Sequence, residues 1–288
     1  MRYYRTETAT GPLLLAREGR KVYDLTTARR SVESFRDLAR VAATLEVGVD
    51  EVAGRLLDDA ALLDDDAVSD PDRPVVAEEV WAAGVTYEVS SDAREAESGR
   101  PEIYQDVFTN ERPEIFFKAT PSRTVGPGEA VGVRGDSDWD VPEPELGVVV
   151  YEGEIVGYTV GNDVSSRDIE GQNPLYLPQA KVYDRCCSVG PCVASPETVG
   201  DPRDLELSMT IERDGETAFE GSTSTSNLAR SPEELVSYLT RHNDLPELTV
   251  LLTGTSVVPP EEFTLREGDA VDIDIENVGT LSNGVTQV

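Results

Sequence analysis

The chain has 288 residues, enough for one large domain or a large one plus a small one, and its 39% apolar content is adequate for a core. With 56 Asp and Glu against 25 Lys and Arg, the net charge of −31 argues against nucleic acid or an anionic membrane as a partner. No apolar run is long enough to span a bilayer, and Met1–Glu7 lacks the apolar segment of a secretion signal, so a cytoplasmic protein is expected. In chain order, short strands are predicted at Arg2–Arg5, Leu13–Ala16 and Lys21–Leu25. A helix over Ser31–Glu46 follows, with Val32, Phe35, Leu38, Ala39, Ala42 and Leu45 at helical spacing, then a second over Asp50–Leu63. Acidic and Pro-containing segments, Asp64–Asp66 and Ser69–Pro74, read as a polar linker. Beyond it, Glu79–Gly84 reads as a strand and Val85–Arg94 as helical. Leu205–Phe219 is a hairpin turned at Asp214–Gly215. Ser231, followed by Pro232 and by Glu234 three residues on, starts a helix that ends near His242. Thr249–Thr253 and Phe263–Glu276 are further strands. The fold class expected is α+β, with a small N-terminal α+β domain over residues 1–70 and a strand-dominated domain over 75–288.

The most informative feature lies between these elements. Glu143 and Glu145 alternate in the run Asp140–Val150, so on a strand they share a side. Asp163 comes 18 residues after Glu145, and a hairpin through Glu152–Gly153 would bring it alongside. Three carboxylates converging without a basic partner repel, and burial aggravates this. A divalent cation is the simplest remedy, and all-oxygen ligation points to Mg2+, Mn2+ or Ca2+. In so acidic a chain a solvated edge is the competing explanation, but the flanking Pro142 and Pro144 and the apolar Leu146–Val150 place the carboxylates at the end of a buried strand. Asp136–Asp140 starts like a calcium loop but has Val141 where that loop needs glycine, and is rejected.

The basic residues are also telling. Only 3 are Lys (Lys21, Lys118, Lys181) and 22 of the 25 are Arg, a composition that resembles salt-adapted proteomes. Where Lys has been replaced almost everywhere, a retained Lys is a candidate for chemistry that Arg, which stays protonated, does not perform. Lys118 and Lys181 both stand in apolar, strand-like surroundings. Cys186, Cys187 and Cys192 are an odd number without zinc spacing, and read as small buried residues in a reducing compartment. The single His, His242, reads as a helix cap or surface group.

Phe116–Lys118, Glu143–Glu145, Gly157–Asp163, Gln179–Lys181, Gly190–Pro191 and Leu252–Thr255 form an ordered set. Over residues 75–288 it resembles the fumarylacetoacetate hydrolase superfamily. Within that superfamily, Ser165–Lys181 looks like the branch of 2-keto-3-deoxy-pentonate dehydratases. The resemblance implies a mainly β domain with a rolled mixed sheet, Mg2+ held by Glu143, Glu145 and Asp163, Lys181 facing a small sugar-acid substrate, and homodimers or homotetramers. Hydrolase members carry a His–Glu pair after the first core strand to activate a water. Here that segment has Glu88 but no His, which favours dehydration over hydrolysis. The expected site is then Lys181 as base or carbonyl ligand, Glu88 or Glu114 as the acid for the departing hydroxyl, and Lys118, Arg167 and Thr255 around the substrate. The competing explanations are an ion pair of Glu114 or Glu88 with Arg94 or Arg112, one of Arg167 with Asp168, and a turn-capping hydroxyl for Thr255. An acylpyruvate-type hydrolase or oxaloacetate-type decarboxylase on the same metal is the alternative activity.

Overall fold

The computed structural model describes residues 1–9, 11–87, 107 and 110–288. Its frame is a mixed sheet of eleven strands. Along the sheet run Ala61–Leu63, Lys21–Asp24, Gly11–Glu18, Arg2–Thr8, Cys187–Ala194, Glu154–Asp163, Pro144–Tyr151, Leu248–Leu252, Glu79–Gly84 and Glu114–Ala119, with Thr124–Val125 beside Cys187–Ala194. A five-stranded sheet packs against it, ordered Glu216–Ser224, Glu206–Arg213, Ala270–Ile275, Gly279–Gln287 and Ala130–Val133. The fold is α+β and strand-dominated, as the sequence predicts.

Pro144–Tyr151 lies between two neighbours and is buried along its whole length. Leu146, Val148 and Val150 join Met209, Ile211, Ile273 and Leu281 in the core between the sheets. Val149 and Tyr151 point the other way, to the core shared with Phe35, Leu38 and Ala42 of the helix Phe35–Leu45. A strand covered on both faces reads as a continuous apolar run, which is why Leu146–Val150 shows no alternation.

Several elements differ from their sequence-based expectation for local reasons. The first helix starts at Phe35, where the Ser34 hydroxyl accepts the Asp37 amide, and not at Ser31. The second is only Val49–Gly54. Ala61–Leu63 is instead a strand, drawn into the sheet by pairing with Lys21–Asp24. The expected linker contains a 3-10 turn, Asp65–Val68, that buries Val68. The strand expected from Phe263 begins at Ala270, because Arg266–Asp269 forms a turn closed by the Asp269 carboxylate on the Arg266 amide. Val85–Tyr87 is not helical: Val85 has a φ of 53° and Tyr87 bridges to Leu228. The remainder of the predicted segment up to Arg94 lies outside the described residues. The hairpin turn at Asp214–Gly215, with φ of 55° and 79°, and the Ser231-capped helix Pro232–Thr240 are where the sequence places them.

Candidate active site

The hairpin through Glu152–Gly153 forms, pairing Pro144 with Asn162 and Glu145 with Gly161. The Asp163 amide donates to the Glu143 carbonyl at 2.9 Å, so Glu143 and Asp163 face each other one step past the last ladder pair. Directly opposite residues of an antiparallel pair share a face. Opposite Glu145 stands Gly161, where a Cβ would run into Leu252. One ligand atom from each of Glu143, Glu145 and Asp163 can be chosen so that all lie within 4.8 Å of one another. All three residues are buried, and among the described residues no other group of this kind occurs. That also leaves the calcium-like Asp136–Asp140 without such a cluster.

The expectation of carboxylates without basic partners is overturned. Lys181 Nζ donates to Glu143 Oε2 at 2.8 Å, Asp163 Oδ2 at 3.1 Å and Ser165 Oγ at 2.6 Å. Lys118 Nζ lies 2.6 Å from Asp163 Oδ1, and Arg167 reaches Glu143 Oε1 at 2.9 Å. Lys118 and Lys181 arrive from elements outside the hairpin and Arg167 from the helix that follows it, which is why spacing along the hairpin does not reveal them. Lys181 ends the short helix Leu177–Lys181, and Lys118 belongs to Glu114–Ala119. Arg167 opens the helix Arg167–Gln172, capped by Ser166. The Phe116 ring lies 5.4 Å from Lys181 Nζ and the Tyr183 ring 5.7 Å from Lys118 Nζ.

Glu145 stands apart: among the described residues no ion pair reaches it, and its carboxylate accepts the Gly254 amide at 2.6 Å. Gly254 needs to be glycine, since its φ is 90° and a Cβ would strike Thr86. Burial, then the charges of Asp163 and Glu143, push the Glu145 pKa well above the usual carboxylate range, against the pull of Lys181 and the Gly254 amide. A buried carboxylate between two others needs a proton or a further cation. The donor set is all oxygen and compact, so the site fits a hard divalent ion such as Mg2+. Around Lys118, burial alone lowers the pKa, but Asp163 outweighs it and the ammonium is favoured.

A cavity of about 550 Å3 is lined by Arg112, Pro113, Glu114, Glu170, Pro174 and Leu177, among others. Glu114 is placed by its cross-strand partner Gly84, where a side chain would overlap the Glu114 carboxylate. Glu170, which sequence reasoning passed over as one acid among 56, is buried, with its carboxylate 3.9 Å from Arg167 Nε. Arg167 in turn holds Glu143, so among the described residues it meets Glu143 and Glu170, and the alternative pair with Asp168 is not made. Thr255 is buried and its hydroxyl is shared with the backbone of Val257, as a turn cap would be. Glu88 lies outside the described residues. His242 is exposed just past the helix Pro232–Thr240. The three cysteines are buried and free.

The fumarylacetoacetate (FAA) hydrolase C-terminal family model matches residues 79–286. This chain belongs to the fumarylacetoacetate hydrolase family. The matched span contains every residue of the carboxylate cluster and its cations. Family relatives narrow the comparison. A probable 2-keto-3-deoxyxylonate dehydratase of Haloferax volcanii is 61% identical over 100% of both chains. A 2-dehydro-3-deoxy-D-arabinonate dehydratase of Saccharolobus solfataricus is 42% identical over 89% of this chain and 88% of its own. Among solved structures, a 2-keto-3-deoxy-D-arabinonate dehydratase complexed with magnesium and 2,5-dioxopentanoate superposes with a TM-score of 0.85 and 35% identity, covering 100% of this chain and 99% of that one.

Proposed function

We propose that this chain is a Mg2+-dependent hydro-lyase that converts 2-keto-3-deoxy-pentonate to 2,5-dioxopentanoate in oxidative pentose degradation. The observation that carries the reading is the buried Glu143–Glu145–Asp163 cluster with Lys181 against it, in a chain 61% identical end to end to a probable 2-keto-3-deoxyxylonate dehydratase.

Glu143, Glu145 and Asp163 would hold the ion. When bound, Mg2+ supplies Lewis acidity that stabilises negative charge developing on a keto oxygen. The cluster's three carboxylates are matched by Lys118, Lys181 and Arg167, so a dication makes the site net positive. That draws a carboxylate substrate into a protein of charge −31. Arg167 orients its C1 carboxylate, and Thr255 joins it by turning its hydroxyl from the Val257 carbonyl that it meets here at 3.3 Å. Lys181 removes the C3 proton or hydrogen-bonds the keto oxygen, and both roles need it beside the carboxylates, where it lies. Glu114 or Glu170, both on the cavity wall, would hand a proton to the departing C4 hydroxyl. The C3 proton and C4 hydroxyl leave as water, a proton then shifts from C5 to C3, and the resulting enol becomes the C5 aldehyde. The enzyme acts as a cytoplasmic homodimer or homotetramer, and three free buried thiols fit a reducing compartment.

The hydrolase alternative needs a base to activate water. The chain's single His is exposed on a helix end, and no His lines the cavity among the described residues. The test is a coupled assay in high salt with racemic 2-keto-3-deoxy-pentonate. Formation of 2,5-dioxopentanoate that stops with a chelator, and is absent in Glu143→Gln, is expected. Pyruvate released from acylpyruvates or oxaloacetate, with no dehydration, would move the assignment to the hydrolase or decarboxylase reading.

A further inference from the structure

We infer that Lys118 is a positioning residue that ties a metal ligand to the backbone carrying the catalytic lysine, and makes no contact with substrate. The inference rests on the metal-site reading above. Lys118 is wholly buried. An ammonium has three N–H groups, and three protein oxygens surround this one: Asp163 Oδ1 at 2.6 Å, the Val164 carbonyl at 2.8 Å and the Lys181 carbonyl at 2.5 Å. The Tyr183 ring closes another side. Two of these are hydrogen bonds to carbonyls and the third is an ion pair, and with the ring they enclose the ammonium away from solvent. The three acceptors belong to two segments of the site, Asp163–Val164 at the end of the strand Glu154–Asp163 and the last residue of the helix Leu177–Lys181.

The arrangement divides the labour of the two buried lysines. Lys181 points its ammonium at side-chain oxygens of Glu143, Asp163 and Ser165, while Lys118 grips the Lys181 main chain and the far oxygen of Asp163. Lys118 thus fixes which Asp163 oxygen faces Glu143 and Glu145, and how far Lys181 stands from it. Arg is a poor substitute, because a planar fork does not converge on three oxygens placed around a point. This is a physical reason for a lysine to be retained here in a chain that otherwise prefers arginine.

The experiment is calorimetric Mg2+ titration and steady-state kinetics of wild type, Lys118→Met and Lys118→Arg in high salt. Outer-shell partners of metal ligands typically contribute ~10–100-fold to metal affinity or activity. Expected in both variants are Mg2+ binding weakened by about that factor, a matching fall in kcat, and a KM for the keto acid within about threefold. An unchanged Mg2+ affinity overturns the inference, whether KM rises, as for a direct substrate contact, or stays as it was. Should the variants fail to fold, reductive methylation of wild type decides, with exposed Lys21 as the internal control. Lys118 that is modified in the free enzyme and protected by 2,5-dioxopentanoate overturns it; resistance with and without that ligand is the expected result. Wild type that binds no Mg2+ at all would instead defeat the metal-site reading.

Discussion

The same residue types are used in two opposite ways in this molecule. At the site, Asp163 and Glu143 meet Lys118, Lys181 and Arg167 with every partner almost fully buried. On the surface, Arg55 meets Glu51 at 2.6 Å and Arg40 meets Glu247 at 2.8 Å, with both side chains of each pair in contact with water. Exposed pairs are screened and contribute little. Buried ones carry a large desolvation cost that only complete pairing offsets, so removing one partner strands the other. The difference lies in surroundings, not in distance: the two kinds of pair are equally short.

Asp163→Asn should show the largest effect. It removes a proposed metal ligand and leaves Lys118 beside a neutral amide, so a loss of ~3–5 kcal/mol is expected in high-salt denaturant titration, with activity below detection. Wild-type turnover would break the contrast. An intermediate effect is expected at Asp140, which is buried, has an Oδ1 without a hydrogen-bond partner, and sits outside any cation cage. Burial raises its pKa to about 6, against the Ser137 hydrogen bond, the Arg134 backbone and the Arg134 charge, and with Asp136 adding repulsion. Its folded pKa is above the unfolded value, so its stabilising contribution is present at low pH and lost as pH rises through about 6. Asp140→Asn should therefore flatten the decline of melting temperature between about pH 4 and 6; an unaltered slope would mean that Asp140 is not the group responsible. The smallest effect is expected at Arg55→Gln, within about 0.5 kcal/mol of wild type. A loss several times larger would show that surface pairs here do more than exposed pairs elsewhere.

The hairpin bearing the carboxylates was legible because its signals are local: alternation at Glu143 and Glu145, the turn at Glu152–Gly153, and an apolar run between them. The two lysines buried against the carboxylates were singled out through scarcity. What sequence did not disclose is long-range. The Arg167–Glu143 pair depends on how a capped helix meets the strand, and local spacing favoured Asp168. Glu170 had no signal against so acidic a background. The short second helix lost Ala61–Leu63 to a sheet partner some forty residues earlier, a pairing that local propensity does not register.

Gly84 has a consequence for engineering. It carries no functional group and touches no proposed ligand, yet the space above its Cα is what the Glu114 carboxylate fills. A methyl group added there would turn Glu114 out of its seat while leaving the acid itself in the chain. The cavity's acidity and its shape are thus adjustable from a chemically silent position on the neighbouring strand. A search of this fold for useful variation that weighs only residues with reactive side chains would pass over it.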